Sequence, residues 1–216
     1  MTGLLLIILI TIITLRSTYK LEDLSTDIPD KIANRLGKLW EIAHQGMKEN
    51  KLLRAEKALL TILKIDEKNA AAYNRLGILY AKQKDFKNAI DCFEIASSIE
   101  KSSSSFHNLG LIYYETGDYV KASIAFEEAL SLEDGMAARH IAYAKVQEKL
   151  GNNKKMISEL EKSAELEPTR ETYSLLKRAY EIHGMDEEAK IISRKLNRAA
   201  KSNKPKRITR PKKVVV

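Results

Sequence analysis

Tyr73–Ala96 reads YNRLGILYAKQKDFKNAIDCFEIA, and Phe106–Ala129 reads FHNLGLIYYETGDYVKASIAFEEA. Tyr73, Leu76, Gly77, Tyr80, Ala89, Phe93 and Ala96 correspond in order to Phe106, Leu109, Gly110, Tyr113, Ala122, Phe126 and Ala129, each 33 residues later. A fixed period of this size marks stacked copies of one supersecondary unit. Within a copy, Tyr73, Leu76, Gly77 and Tyr80 fall at i, i+3, i+4 and i+7, one face of a helix. Ala89, Phe93 and Ala96 form a second stripe after the polar break Gln83-Lys84-Asp85. A glycine inside a helix costs about 1 kcal/mol against alanine, so Gly77 needs a packing reason. The unit is a helix hairpin with a close internal crossing. Neither helix buries its stripe alone, and a neighbouring hairpin completes the burial.

These residues resemble the tetratricopeptide repeat (TPR) family, whose pattern runs aromatic, Leu, Gly, Tyr, then Ala, Phe, Ala, then Pro. Both copies carry seven of those eight features; Lys101 and Asp134 stand where proline is usual. Weaker copies flank the pair. Residues 36–69 offer Leu39, Ile42, Ala43, Ala55, Leu59 and Ile62. Residues 137–169 offer Tyr143, Ala144, Gly151, Leu160, Ala164 and Pro168, with His140 and Gln147 replacing aromatics. Residues 170–199 offer Tyr173, Leu176, Tyr180, Gly184, Ala189 and Leu196, with Lys177 at the glycine position. The expected fold is all-α: a TPR-type α-α superhelix of about five hairpins over 36–199, entered by a connector and first helix start over 20–35. Terminal copies are atypical because one side of each meets water.

Composition agrees with an all-α chain: 31% of residues are charged, and there are only 9 glycines and 4 prolines. The single cysteine, Cys92, lies in a helix stripe and can build neither a disulfide nor a CxxC metal site. Net charge is +8, but residues 194–216 hold ten Lys/Arg and no acid, which leaves about −2 for the remainder. The basicity belongs to the end of the chain.

Residues 1–15, MTGLLLIILITIITL, are apolar from Leu4 except for two threonines. As a helix they would cover about 22 Å, and about 28 Å with residues 16–19, against a hydrocarbon core of about 30 Å. No basic start and no small-x-small cleavage site mark a signal peptide. A helix this uniformly apolar has no polar face for water. The expectation is therefore a transmembrane helix over 1–19, with anionic lipid as a possible further contact of the tail. Arg16 and Lys20 on its C-terminal flank put the repeats in the cytoplasm by the positive-inside rule. The architecture resembles bacterial inner-membrane proteins that join one N-terminal span to cytoplasmic repeats, and implies that single-pass localisation.

Catalytic signatures are missing from the sequence. There is no GxGxxG, no GK[ST] phosphate loop, no HExxH and no GxSxG. His44, His107, His140 and His183 fall on different hairpins, and no two share i, i+4 spacing for a metal. The expectation is a non-enzymatic binding protein without a cofactor.

The TPR resemblance implies a groove lined by the first helix of each hairpin, gripping a protein or peptide. Its contact positions fall on Asn74, Arg75, Ile78, Lys82, His107, Asn108, Leu111 and Tyr114, with Lys145 and Arg178 from later copies. From Asn197 the chain turns basic, with two prolines and no acid, and reads as a disordered tail over 200–216. Lys204, Lys206, Arg207, Arg210, Lys212 and Lys213 there suit anionic lipid headgroups or RNA phosphates. Two functions follow: a membrane-held adaptor that binds a polypeptide, or a ribosome- or nucleic-acid-associated factor acting through the tail.

Overall fold

A computed structural model describes the backbone of residues 30–202 and the side chains of residues 30–197. Among these residues the secondary structure is ten helices and no strand. The helices are α1 (30–48), α2 (Leu52–Ile65), α3 (Ala70–Lys82), α4 (Phe86–Ile99), α5 (Ser103–Glu115), α6 (Tyr119–Leu132), α7 (Ala137–Lys149), α8 (Asn153–Leu166), α9 (Arg170–Ile182) and α10 (Asp186–Ser202). They pair as five hairpins of the TPR type, as the repeat predicts. The chain divides after Ile99 into two compact units. The first contains α1–α4. In the second, each of α5–α10 packs on the next in order.

Local chemistry places the helix ends. Asn69 caps α3 by accepting from the Ala72 N–H at 2.9 Å, and Ser102 caps α5 through the Ser105 N–H at 3.1 Å. Asp118 caps α6 through the Lys121 N–H at 3.1 Å. Thr169 and Thr172 form a reciprocal capping box at the start of α9. Each satisfies a backbone donor that the helix itself cannot. Inside every hairpin, the break contains one residue of left-handed backbone: Asn50 (φ 58), Lys84 (φ 61), Gly117 (φ 83), Gly151 (φ 75) and Gly184 (φ 70). Glycine takes this conformation freely, whereas lysine pays a steric cost for it.

The close crossing expected at glycine is present twice. A Cβ on Gly77 would sit 2.6–2.8 Å from ring atoms of Phe93, and one on Gly110 would sit 2.8–3.0 Å from the ring of Phe126. Both rings are buried. The first hairpin uses a different glycine. Gly46 of α1 lies against Ala55 of α2, where an added Cβ would meet the Ala55 backbone N at 3.0 Å.

Successive hairpins are tied by tyrosines of one helix to glutamates of the preceding one. Tyr80 donates to Glu56 at 3.0 Å and Tyr180 to Glu161 at 2.6 Å; Tyr143 donates to Glu127. Desolvation, followed by the carboxylate bond, raises all three phenols, Tyr80 to about 12. A phenol whose folded-state pKa exceeds its unfolded value binds its proton more tightly when folded. Its contribution is whole below pH ~10 and is lost as pH rises through about 12 for Tyr80. The expected result in a phenolate absorbance titration is that at least three of the nine tyrosines ionise late, together with loss of helicity.

Two expectations are corrected. No helix among the described residues is long and apolar enough to cross a membrane, so the single-pass membrane localisation with cytoplasmic repeats does not stand. The described helices are amphipathic, with polar faces that water solvates; even α1 carries Lys31, Arg35, Lys38 and Glu41. The stretch 1–19 on which the expectation was built lies outside the described residues. The second correction concerns residues 200–202, expected to begin the disordered tail. They continue α10, because Arg, Ala and Lys are good helix formers and both prolines come later. The six basic residues from Lys204 to Lys213 lie outside the described residues.

Candidate interaction groove

The groove is built by the first helices of the hairpins in the second unit. Leu111, Tyr114 and Glu115 of α5 face Ala138, Ile141, Ala142 and Lys145 of α7 across a notch of about 160 Å³ whose floor includes Phe126. A second notch of about 210 Å³ lies between α7 and α9. Ile141, Ala144, Lys145 and Glu148 line one side, and Leu175, Arg178, Ala179, Ile182 and His183 the other. Ile141 and Lys145 belong to both notches. Leu111 and Ile182 remain exposed at 38% and 62%, so apolar surface is open to an incoming chain.

Charge is paired unevenly in the second unit. Lys155, Lys162 and Lys177 are held by Glu159, Asp134 and Glu181 at 3.2, 3.6 and 2.9 Å. Lys145 and Arg178 make no salt bridge among the described residues, and both line the notches. Glu115 and Glu148 line the same notches, one acid in each. The arrangement offers two apolar holes, each lined by an acid and by a cation that makes no salt bridge among the described residues.

Of the residues expected from the sequence, Leu111, Tyr114, Lys145 and Arg178 are brought together here. His107 is turned inward, edge-on to Phe126 with ring centroids 5.5 Å apart. Its Nδ1 is buried without a hydrogen-bond partner, and burial, then the nearby Arg139 charge, lowers its pKa. Burial favours its neutral form, and the ring packs on Phe126. Asn108 is half-buried on the same helix. Asn74, Arg75, Ile78 and Lys82 belong to the first unit. There the Arg75 guanidinium lies 5.6 Å from the centre of the Trp40 ring, a cation–π contact. Ile141, Leu175 and Ile182 were missed, although the repeat offset carries His107 to Ile141, Asn108 to Leu175 and Lys82 to Ile182. They are apolar, and apolar residues on a helix read first as core.

Cys92 is no candidate nucleophile. It is 9% exposed, and burial, then the charges of Asp91 and Asp85, pushes its thiol up to about 11.

The α7–α8 hairpin has a polar core that the sequence pattern does not announce. His140 occupies the position of Tyr73 and Phe106, and is 2% exposed. Its Nδ1 lies 2.7 Å from the Glu159 carboxylate, and its Nε2 lies 2.8 Å from the Asp134 carbonyl. The Asp134 carbonyl can only accept, so Nε2 donates to it. Arg139, also 2% exposed, donates to the Glu133 carbonyl and carboxylate. These two side chains hold the α6–α7 loop where other repeats place a proline.

Residues 68–134 match the tetratricopeptide repeat family. No curated protein matches the chain. Among solved structures, the fold is similar to that of MamA protein, with a TM-score of 0.69 and 21% identity over 79% of this chain and 97% of that one. MamA from Desulfovibrio magneticus RS-1 gives a TM-score of 0.69 at 13% identity, covering 79% and 98%. YrrB, described as a TPR protein with an unusual peptide-binding site, gives 0.60 at 20% identity, covering 71% and 80%. At these identities the likeness establishes the fold, and the fold is the TPR-type helical repeat.

Proposed function

We propose that this chain is a non-enzymatic adaptor that holds a polypeptide segment in the groove formed by α5, α7 and α9. The observation that carries the reading is the pair of consecutive notches sharing Ile141 and Lys145, with Lys145 and Arg178 left without salt bridges among the described residues. The absence of catalytic sequence motifs is in keeping with it. YrrB, similar in fold, is described as having a peptide-binding site, which supports the class of ligand.

The test is selection of a random peptide library on the full chain, followed by titration of the recovered peptides. Expected sequences carry two apolar residues flanking an acid. Lys145→Glu is expected to weaken them at least tenfold, equivalent to about 1.4 kcal/mol. Leu111→Ser is expected to do the same by removing a wall of the first notch. Peptides indifferent to both substitutions would show that the groove is not the binding surface. Binding that depends instead on residues 203–216, and falls steeply with salt, would favour the nucleic-acid reading.

A further inference from the structure

The first hairpin carries an open depression of about 650 Å³ between its two helices. Leu39 and Ile42 of α1 and Leu52, Leu53, Ala58 and Thr61 of α2 line it. Leu53 is 64% exposed. The remaining lining residues are Lys51, Arg54 and Lys57: three cations and no acid. Glu49 holds Lys51 at 2.7 Å, whereas Arg54 and Lys57 make no salt bridge among the described residues. The α3–α4 hairpin engages α2 through the bond from Tyr80 to Glu56, and neither of these lines the depression.

The shape selects the class of occupant. Residues 53–61 of α2 run about 12 Å along its axis, a little over two turns. Both sides are helices whose backbone groups are already bonded within the helix, so an extended peptide finds no sheet edge to join. A hollow between two helices instead accepts the apolar face of a third, read as anchors at i, i+3, i+4 and i+7. A bilayer surface is flat on this scale and does not enter it. Charge selects further: Arg54 and Lys57 stand one turn apart and call for carboxylates beside the apolar stripe.

A second copy of the chain is a poor occupant. An isologous contact would set Lys51, Arg54 and Lys57 against the same three residues, which like charge opposes. A head-to-tail contact through α10 offers the acids Asp186, Glu187 and Glu188. That helix also exposes Lys190, Arg194 and Lys195, with Ile191 as its exposed large apolar residue among those described.

We propose that this depression is a second docking site, taking an acidic amphipathic helix of another protein. Its apolar stripe lies against Leu39, Ile42 and Leu53, and its carboxylates meet Arg54 and Lys57. The incoming helix does for the first hairpin what an adjoining hairpin does within a repeat array: it removes an apolar face from water. The site belongs to the first unit and is independent of the α5–α7–α9 groove.

The probe is a library of 14-residue helical peptides randomised on one face, selected on the full chain and counter-selected on its Arg54→Glu/Lys57→Glu variant. Expected peptides carry apolar residues at i, i+3 or i+4, and i+7, flanked by Asp or Glu. In titrations, Leu53→Ser and Arg54→Glu/Lys57→Glu are each expected to weaken them at least tenfold. Peptides with those acids changed to Lys are expected to regain affinity for the Glu variant. Lys145→Glu is expected to leave them unmoved, which separates this site from the groove. Leu53, Arg54 and Lys57 are exposed, and circular dichroism checks that each variant stays folded. Recovery of no peptide, or of peptides indifferent to Leu53→Ser, would overturn the proposal. Self-association of the full chain that Arg54→Glu abolishes would overturn it in favour of a second copy. Binding to phosphatidylglycerol vesicles that Leu53→Ser abolishes and the peptides do not displace would overturn it in favour of a bilayer.

Discussion

Glu159→Leu will destabilise the second unit by about 3–5 kcal/mol, and His140→Phe in the same chain will recover most of that loss. Glu159 and His140 are 6% and 2% exposed and bonded at 2.7 Å. Removing the carboxyl group leaves the imidazole buried opposite hydrocarbon, with its Nδ1 unanswered. Breaking a buried pair from one side costs in that range, whereas replacing both partners by apolar groups of similar volume is often neutral or stabilising. The site is prepared for the exchange, because Tyr73, Phe106 and Tyr173 hold the position of His140 in other copies. Lys155 also contacts Glu159, at 3.2 Å, but it is half-exposed and water can solvate it once released. Urea unfolding followed by far-ultraviolet circular dichroism measures the cycle. A double variant as unstable as the single one would mean that the Asp134 carbonyl bond, lost with His140, carries the energy instead of the His140–Glu159 contact.

The second large effect lies in the first unit. Phe93→Ala will cost about 3–5 kcal/mol, the range for emptying a buried aromatic site. Gly77→Ala alone will also be unfavourable, by up to about 2 kcal/mol. Alanine gains about 1 kcal/mol of helix propensity. However, its methyl lands 2.6–2.8 Å from the ring of Phe93, and forced overpacking costs about 1–3 kcal/mol. In the Phe93→Ala background the sign reverses. The methyl then enters vacated space and keeps its propensity gain, so Gly77→Ala becomes stabilising. Contacting residues show couplings of about 0.5–3 kcal/mol in such cycles, enough to resolve the reversal. Trp40, the single tryptophan, packs against the core of this unit, so its fluorescence follows unfolding there. Additive single effects would refute the crossing as the reason for glycine.

The parts of the fold legible in the sequence were those set by short-range rules. The stripes at Tyr73–Tyr80 and Ala89–Ala96, the breaks at Asn50 and Gln83–Asp85, and the Ser102 cap follow from helix periodicity and turn chemistry, and the structure places helices between them. Gly46 was not legible as a crossing residue because it sits three positions beyond Ala43, where the repeat puts its small residue. The polar core of α7–α8 was hidden for another reason: Glu159 is 19 residues from His140, and no helical or turn rule pairs them. In the groove, the repeat offset found Leu111, Tyr114, Lys145 and Arg178. It did not show that His107 turns inward, since the direction of that ring is decided by packing against Phe126.

The left-handed residues at 50, 84, 117, 151 and 184 recur every 33 or 34 residues, one per hairpin. They divide the chain into modules of constant length whose ends share one backbone conformation. Removing or duplicating residues 118–151 therefore rejoins like geometry to like, and shortens or extends the stack by one whole step. A cut made inside a helix instead shifts each later side chain by about 100° per residue around its axis. Such a chain can vary its number of grooves without redesigning any one of them.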